Sequence, residues 1–379
     1  MPLEFLTFFL PSRFPLKTSA EKRRVVQLIM SFNREIFNDS GPSQPCSAAA
    51  WDDKNYQRMI SACLVQGVYN LEHDRLQNRQ EAHDSQWWDS FHFQLRRKLE
   101  DTDKSVSGCI YELKSSHRST RNAPKIVIAF RGTILKSRIM FQDLKMNLKT
   151  FCYELHTTPR FQLAVDAVVS AVGEVGVGNV WLAGHSLGSA LALLVGKSMA
   201  KRDRHIKTFL FNPPFLSLSE GRFTNDVLKN TFHVVHSVAA AGLSVLVKGH
   251  KDRQDQFARL SNWKPLLFVN KKDHICSGYI EYFRSRIMME KIGLQKIERT
   301  ATMNSLKGLI KVASRKESEP LHLIPSAKLF VNRFSNGGAS SSRKPCPVQQ
   351  WYSDFREAHG IQQWWSPDVS GEFEEFSFN

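Results

Sequence analysis

The chain has 379 residues, 42% hydrophobic and 23% charged, the balance of a globular protein able to bury a large core. Its formal net charge of +16 favours anionic partners: a phospholipid surface, an acidic ligand or nucleic acid. The sequence carries no zinc-ligand spacing, RNA-binding aromatic block or basic heptad helix, which disfavours nucleic acid, and no apolar run nears the roughly 18 residues of a membrane span.

Residues 1–11 are apolar but contain Glu4 and lack a basic start and a small-residue cleavage site. They predict a tail that packs on the body or dips into a membrane surface, not a signal peptide. Cys46, Cys63, Cys109, Cys152, Cys276 and Cys346 form no C-x-x-C, the pattern of a reduced, intracellular chain. Residues 18–105 read as mainly helical: Ile60, Cys63, Leu64, Val68 and Leu71 recur at helical spacing, and Trp87, Trp88, Phe91 and Phe93 add bulk for packing.

From Gly108 the texture changes. Cys109 to Lys114 reads as a strand, and Lys125 to Phe130 is a continuous apolar run, the mark of a central strand covered on both faces. A helix is predicted over 160–174 and a strand over Val180–Ala183. A buried helix follows from Ser189 to Lys197, then strands at Thr208–Phe211, Pro265–Asn270 and Ala327–Asn332. This alternation predicts a mostly parallel sheet with right-handed crossovers. Residues 284–316 form a basic stretch with nine Lys and Arg against Glu290 and Glu298, and Met303, Leu306 and Ile310 share a helical face. That suits a membrane-contact helix or, more simply, a solvated helical insertion. Residues 333–345, rich in Gly and Ser, read as a loop.

Gly184-His185-Ser186-Leu187-Gly188 has the G-x-S-x-G form, between a predicted strand and a predicted helix. A chain this long carries roughly 0.1 such matches by chance, so the pattern is not a coincidence of composition. The chemistry explains it: serine is a weak nucleophile and must be held exposed on a tight turn beside a base. The partners expected downstream are an acid after a strand and then a late histidine. Asp273 follows the strand ending at Asn270, at a strand's C-terminal end where sites in parallel sheets lie. His274 is its sequence neighbour and diverges from it. His322 lies in an apolar approach to a strand. His359 lies in a loop-to-helix setting from which its ring can reach the serine, and is favoured over His322. His185 is expected to point away from Ser186 and to fix the turn. For the oxyanion, the Leu187 N–H is the default donor, and the loop Arg131-Gly132-Thr133 after the central strand offers Thr133 as the second. No metal or other cofactor is called for.

Phe130-Arg131-Gly132-Thr133 followed by Gly184-His185-Ser186-Leu187-Gly188 resembles the class 3 lipase family of α/β-hydrolases. More closely, the chain is similar to a plant branch of that family, some of whose members are catalogued as GDSL esterase/lipases although no Gly-Asp-Ser-Leu block occurs here. The resemblance implies an α/β-hydrolase fold, with a mostly parallel sheet and helices on both faces. It implies a nucleophile at Ser186, an acid at Asp273, a base at His359, oxyanion residues Thr133 and Leu187, and a lid over 137–144. Residues 1–105 then form a mainly helical extension packed on the core, and 106–379 the hydrolase domain with its basic insertion.

The expected activity is hydrolysis of lipid or small acyl esters through a Ser-His-Asp triad and an acyl-enzyme. The alternatives are acyl transfer and a catalytically silent interaction or signalling protein. The expected location is intracellular and cytoplasmic, with peripheral contact at an anionic membrane; the sequence sets no oligomeric state. Three departures from the family stand out. Ser189 in place of a second glycine after Leu187 is a small change. The strand end Phe211-Asn212-Pro213-Pro214 in place of glycine-serine-proline, and the long basic region between Asp273 and His359, bear on the pocket and hence the substrate.

Overall fold

The computed structural model describes residues 51–78, 87–117, 122–134, 154–215, 258–291, 324–332, 354–366, 369 and 371–377. The expected lid at 137–144, His322, the loop at 333–345, the N-terminal tail and most of the basic stretch lie outside the described residues.

The described residues contribute eight strands to one sheet, ordered in space as in sequence. They are β1 (Phe93–Glu100), β2 (Val106–Leu113), β3 (Ile126–Phe130), β4 (Val180–His185), β5 (Lys207–Phe211), β6 (Leu266–Asn270), β7 (Ala327–Asn332) and β8 (Phe373–Phe376). Strands β3 to β7 are parallel; β1, β2 and β8 pair antiparallel at the edges. The near-continuous apolar runs arise because both faces of the central strands are covered. Alternate residues serve opposite cores: Ile126, Ile128, Leu182, Leu210 and Leu267 face one, while Val127, Ala129, Trp181, Phe209 and Phe268 face the other.

The helices follow from this order. Right-handed crossovers between strands that march in one direction put successive connecting helices on the same face. Accordingly α2 (Pro159–Val175), α3 (Leu187–Ala200) and α4 (Gly278–Lys291) share one core. The opposite face is covered by α1 (Lys54–Leu76), which lies before the sheet in sequence. Ile60, Leu64, Val65 and Val68 of α1 are fully buried there among Trp51, Trp181 and Phe211. Thr158 caps α2 by accepting from the Phe161 N–H, with Pro159 at its first position.

Two details differ from the sequence reading. Phe93–Glu100, expected to be helical, is a strand paired with β2. Its buried pattern alternates only weakly because the pairing with β2 shifts register between Leu95 and Arg97 and again between Leu99 and Glu100, which interrupts the two-residue period. Ala327–Asn332 is also not the final strand, since Phe373–Phe376 adds β8 beyond it. Within the basic stretch, Arg286 lies on α4 and donates to the carbonyls of Ile324 (3.1 Å) and Pro325 (2.7 Å), fixing the approach to β7. Among the described residues no helix is long and apolar enough to cross a membrane.

Candidate active site

The turn between β4 and α3 puts Ser186 at φ 54° and ψ −121°, a left-handed conformation that a non-glycine residue adopts only under constraint. The constraint is visible. The Ser186 N–H donates to the Phe211 carbonyl at 2.9 Å, and Ser189 Oγ lies 2.6 Å from the Gly184 carbonyl and 2.7 Å from that of Phe211. Ser189, the departure from the family's second glycine, thus ties the elbow to the end of β5. A side chain at Gly188 would lie 2.3 Å from the Phe130 carbonyl oxygen, so only glycine lets α3 approach β3 this closely. Leu187 is the first residue of α3, where an N–H has no intrahelical acceptor.

Three sequence-predicted residues meet at this turn. His359 Nε2 is 3.0 Å from Ser186 Oγ, and His359 Nδ1 is 2.8 Å from Asp273 Oδ2. Asp273, fully buried, also accepts from the Ile275 N–H on Oδ1 at 3.0 Å and from Asn212 Nδ2 on Oδ2 at 2.7 Å. Burial alone would raise this carboxyl, but His359, its hydrogen bond and the other donors outweigh that and hold it below the usual carboxylate range. The carboxylate fixes His359 Nδ1 as the protonated nitrogen, which leaves Nε2 able to accept from Ser186 Oγ. His274, by contrast, is exposed.

Sequence reasoning did not find Asn212. Its φ of 47° is one that asparagine tolerates, which accounts for an asparagine after β5. Its amide donates to Asp273 and to the Ala358 carbonyl (3.0 Å) and accepts from Trp364 Nε1 (2.5 Å), so it joins the loops carrying the acid and the histidine.

A second network supports the turn from behind. Tyr69, on α1, accepts from the Gly132 N–H at 2.7 Å, so its own O–H is left to donate to His185 Nδ1 at 2.8 Å. His185 Nε2 then donates to the His359 carbonyl at 2.7 Å. The chain of donors is directed from the loop after β3, through α1 and the elbow, to the backbone of His359. Three residues beyond Tyr69, buried Glu72 accepts from the Val106 N–H and pairs with Arg131, whose guanidinium donates to the Val106 carbonyl at 2.6 Å and the Gly132 carbonyl at 2.7 Å. The loop therefore reaches Ser186 already braced: a side chain at Gly132 would lie 2.9 Å from Ser186 Cβ. Thr133 follows Gly132 and is exposed beside it.

Family relationships bear on the same residues. The class 3 lipase family matches residues 115–239, which include the Phe130–Thr133 loop and the elbow. An Arabidopsis thaliana protein named a GDSL esterase/lipase is 39% identical over 360 residues, 90% of this chain and 97% of its own length. The chain belongs to the class 3 lipase family. This class 3 lipase is accordingly a carboxylic-ester hydrolase with the α/β-hydrolase fold. Among solved structures, a fungal esterase from Rhizomucor miehei is 15% identical, covering 68% of this chain and 83% of its own at a TM-score of 0.28. A hyperthermophilic esterase from Pyrobaculum calidifontis is 13% identical, covering 74% and 87% at a TM-score of 0.28. Both likenesses are too slight to bear on the site.

Two expected results follow from the network behind the elbow of this lipase. Tyr69→Phe leaves the Gly132 N–H and His185 Nδ1 buried without partners, each at a cost of about 1–3 kcal/mol. Urea unfolding should show that loss together with a lower kcat; an unchanged midpoint would contradict the network. The second concerns acid. Burial, then the nearby His359, lowers the His185 pKa to about 3. An unfolded imidazole takes up its proton near pH 6.5, so between about 6.5 and 3 the unfolded chain binds more protons. Stability should fall as pH drops through that window, by up to about 1.4 kcal/mol per unit from this group. Denaturation curves from pH 7 to 4 should be shallower in pH for His185→Gln, and an equal slope would contradict the assignment.

Proposed function

We propose that this class 3 lipase hydrolyses lipid acyl esters with Ser186 as nucleophile, His359 as base and Asp273 as the carboxylate that orients it. The observation that carries this reading is the unbroken hydrogen-bond chain from Ser186 Oγ to His359 to Asp273. Ser186 Oγ attacks the ester carbonyl while its proton passes to His359 Nε2. The Leu187 N–H at the start of α3 and Thr133 on the braced loop stabilise the oxyanion. Collapse of the tetrahedral intermediate transfers that proton to the departing alcohol and leaves an acyl-Ser186. Water, deprotonated by His359, then attacks the acyl group and releases the fatty acid. Neutral His185 does not compete as a base, because both its nitrogens are engaged.

Residues 1–105 belong, in this reading, to the catalytic unit as a supporting extension. Its support is the burial of α1 against the sheet and the contacts of Tyr69 and Glu72. The net charge of +16 favours adsorption of the enzyme to anionic lipid. The test is fatty-acid release from a dispersed acyl ester. Wild type should turn over and Ser186→Ala should not; equal release by both proteins would overturn the reading.

A further inference from the structure

The catalytic groups occupy the C-terminal ends of the parallel strands. The N-terminal ends carry a separate cavity of about 280 Å³, lined by Lys54, Gln57, Lys207, Trp263, Lys264 and Lys328 among others. Strand register explains why the lysines converge. Phe209 of β5 pairs with Leu266 of β6, which pairs with Lys328 of β7, so these three share a face. Lys207 lies two residues before Phe209 and faces the same way. That face is the one covered by α1, whose first residue is Lys54. Two neighbouring parallel-strand rows and a helix start thus deliver ammonium groups to one opening.

The charges there are poorly matched. Glu375 pairs with Lys264 at 2.6 Å and Lys328 at 3.4 Å, while no carboxylate among the described residues pairs with Lys207 or Lys54. Lys207 instead donates to Gln57 Oε1 at 2.6 Å and lies 4.6 Å from the centroid of the Trp181 ring. Gln57 is itself oriented by donating to the Trp51 carbonyl, which turns its oxygen toward the lysine. An ammonium has three N–H donors, and this arrangement leaves Lys207 with donors to spare. Burial, then the charges of Lys328 and Lys54, lowers its pKa to about 8. Like charges held together in a half-buried cavity are a standing destabilisation that an anion relieves.

The geometry points to a binding site for a phosphomonoester group at this cavity, separate from the catalytic serine. A dianion matches the surplus of ammonium groups, which bind phosphate as point charges. The volume suits a small phosphorylated headgroup or metabolite and not a long acyl chain. The separation is large: α1 runs from Lys54 at this cavity to Tyr69 at the elbow, about 22 Å at 1.5 Å per residue. Occupancy therefore does not depend on Ser186.

Trp181 and Trp263 provide a fluorescence signal, and calorimetry a second one. The full chain is titrated with glycerol 3-phosphate, and separately with phosphatidylcholine vesicles with and without phosphatidic acid. The expected result is saturable one-site binding of glycerol 3-phosphate, weakened at least tenfold by Lys207→Met and by Lys328→Met and unchanged by Ser186→Ala. Lys328 lies away from the Trp181 stack and is about one-third exposed (33%), so its variant keeps the test open if Lys207→Met fails to fold. Binding only to phosphatidic-acid vesicles, lost in the lysine variants, supports the same site and assigns its phosphate to a lipid headgroup. No saturable binding in either arm, or binding that both lysine variants retain, overturns the proposal.

Discussion

Replacing His359 with alanine should lower kcat on an acyl ester by roughly 10⁶-fold, about as much as removing the nucleophile itself. The reason is geometric. His359 Nε2 stands 3.0 Å from Ser186 Oγ and, among the described residues, is the histidine nitrogen placed to take its proton, since both nitrogens of adjacent His185 are engaged elsewhere. Without it the hydroxyl keeps its proton and the leaving alcohol has no acid. Phe355 stacks on the imidazole at 4.9 Å, so alanine here opens a gap and takes one donor from the buried Asp273 carboxylate, which keeps Asn212 Nδ2 and the Ile275 N–H. Folding should survive, with a urea midpoint lowered by the lost donor to the buried carboxylate, about 1–3 kcal/mol. His322→Ala is the matched control: it should leave kcat within a few-fold. Reversed effects of the two substitutions would transfer the base to His322.

Asp273→Asn should cost about 10⁴-fold in kcat while leaving the shape of the site intact. The carboxylate accepts from His359 Nδ1, Asn212 Nδ2 and the Ile275 N–H, and it donates to none of them. An asparagine satisfies those donors only in part. With its amide nitrogen toward His359, the imidazole keeps its proton on Nε2 and can no longer accept from Ser186. Stability behaves differently with pH. A carboxyl held below its unfolded value contributes stability above pH about 4, and that contribution is lost as pH falls through the lower folded value. The variant should therefore lose less stability than wild type on acidification below pH about 4. Steady-state kinetics at neutral pH is the primary check, and a loss of less than tenfold would count against Asp273 as the orienting acid.

Much of the frame was legible because local signals and the global fold agree. The run Lys125 to Phe130 and its counterparts are apolar on both faces, and only central strands of a covered parallel sheet need that. The elbow was legible because close backbone approach at Gly188 demands glycine, and glycine leaves a mark in sequence. Asp273 and His359 stood out through position relative to strands. What stayed hidden were residues whose role depends on long-range contact. Tyr69 looks like any helical aromatic until α1 is laid on the sheet, and Glu72 like any surface acid until Arg131 meets it. Asn212 read only as a departure from a familiar turn, although positive φ and three hydrogen bonds make asparagine well suited there. Phe93–Glu100 does not read as a strand in sequence because two register shifts against β2 break its alternation, and the pairing overrides its weak local preference. The four lysines around the cavity are dispersed from position 54 to 328, and only the sheet's strand register together with the placement of α1 gathers them.

Every step in the proposed chemistry depends on a reactive Ser186. A fluorophosphonate probe reports that directly, because it forms a stable adduct only with a serine whose proton a neighbouring base removes. Intact-mass and peptide analysis should find one adduct per chain, on Ser186, with labelling abolished in Ser186→Ala and slowed by orders of magnitude in His359→Ala. An unlabelled wild-type protein, or equal labelling of wild type and Ser186→Ala, would contradict the account.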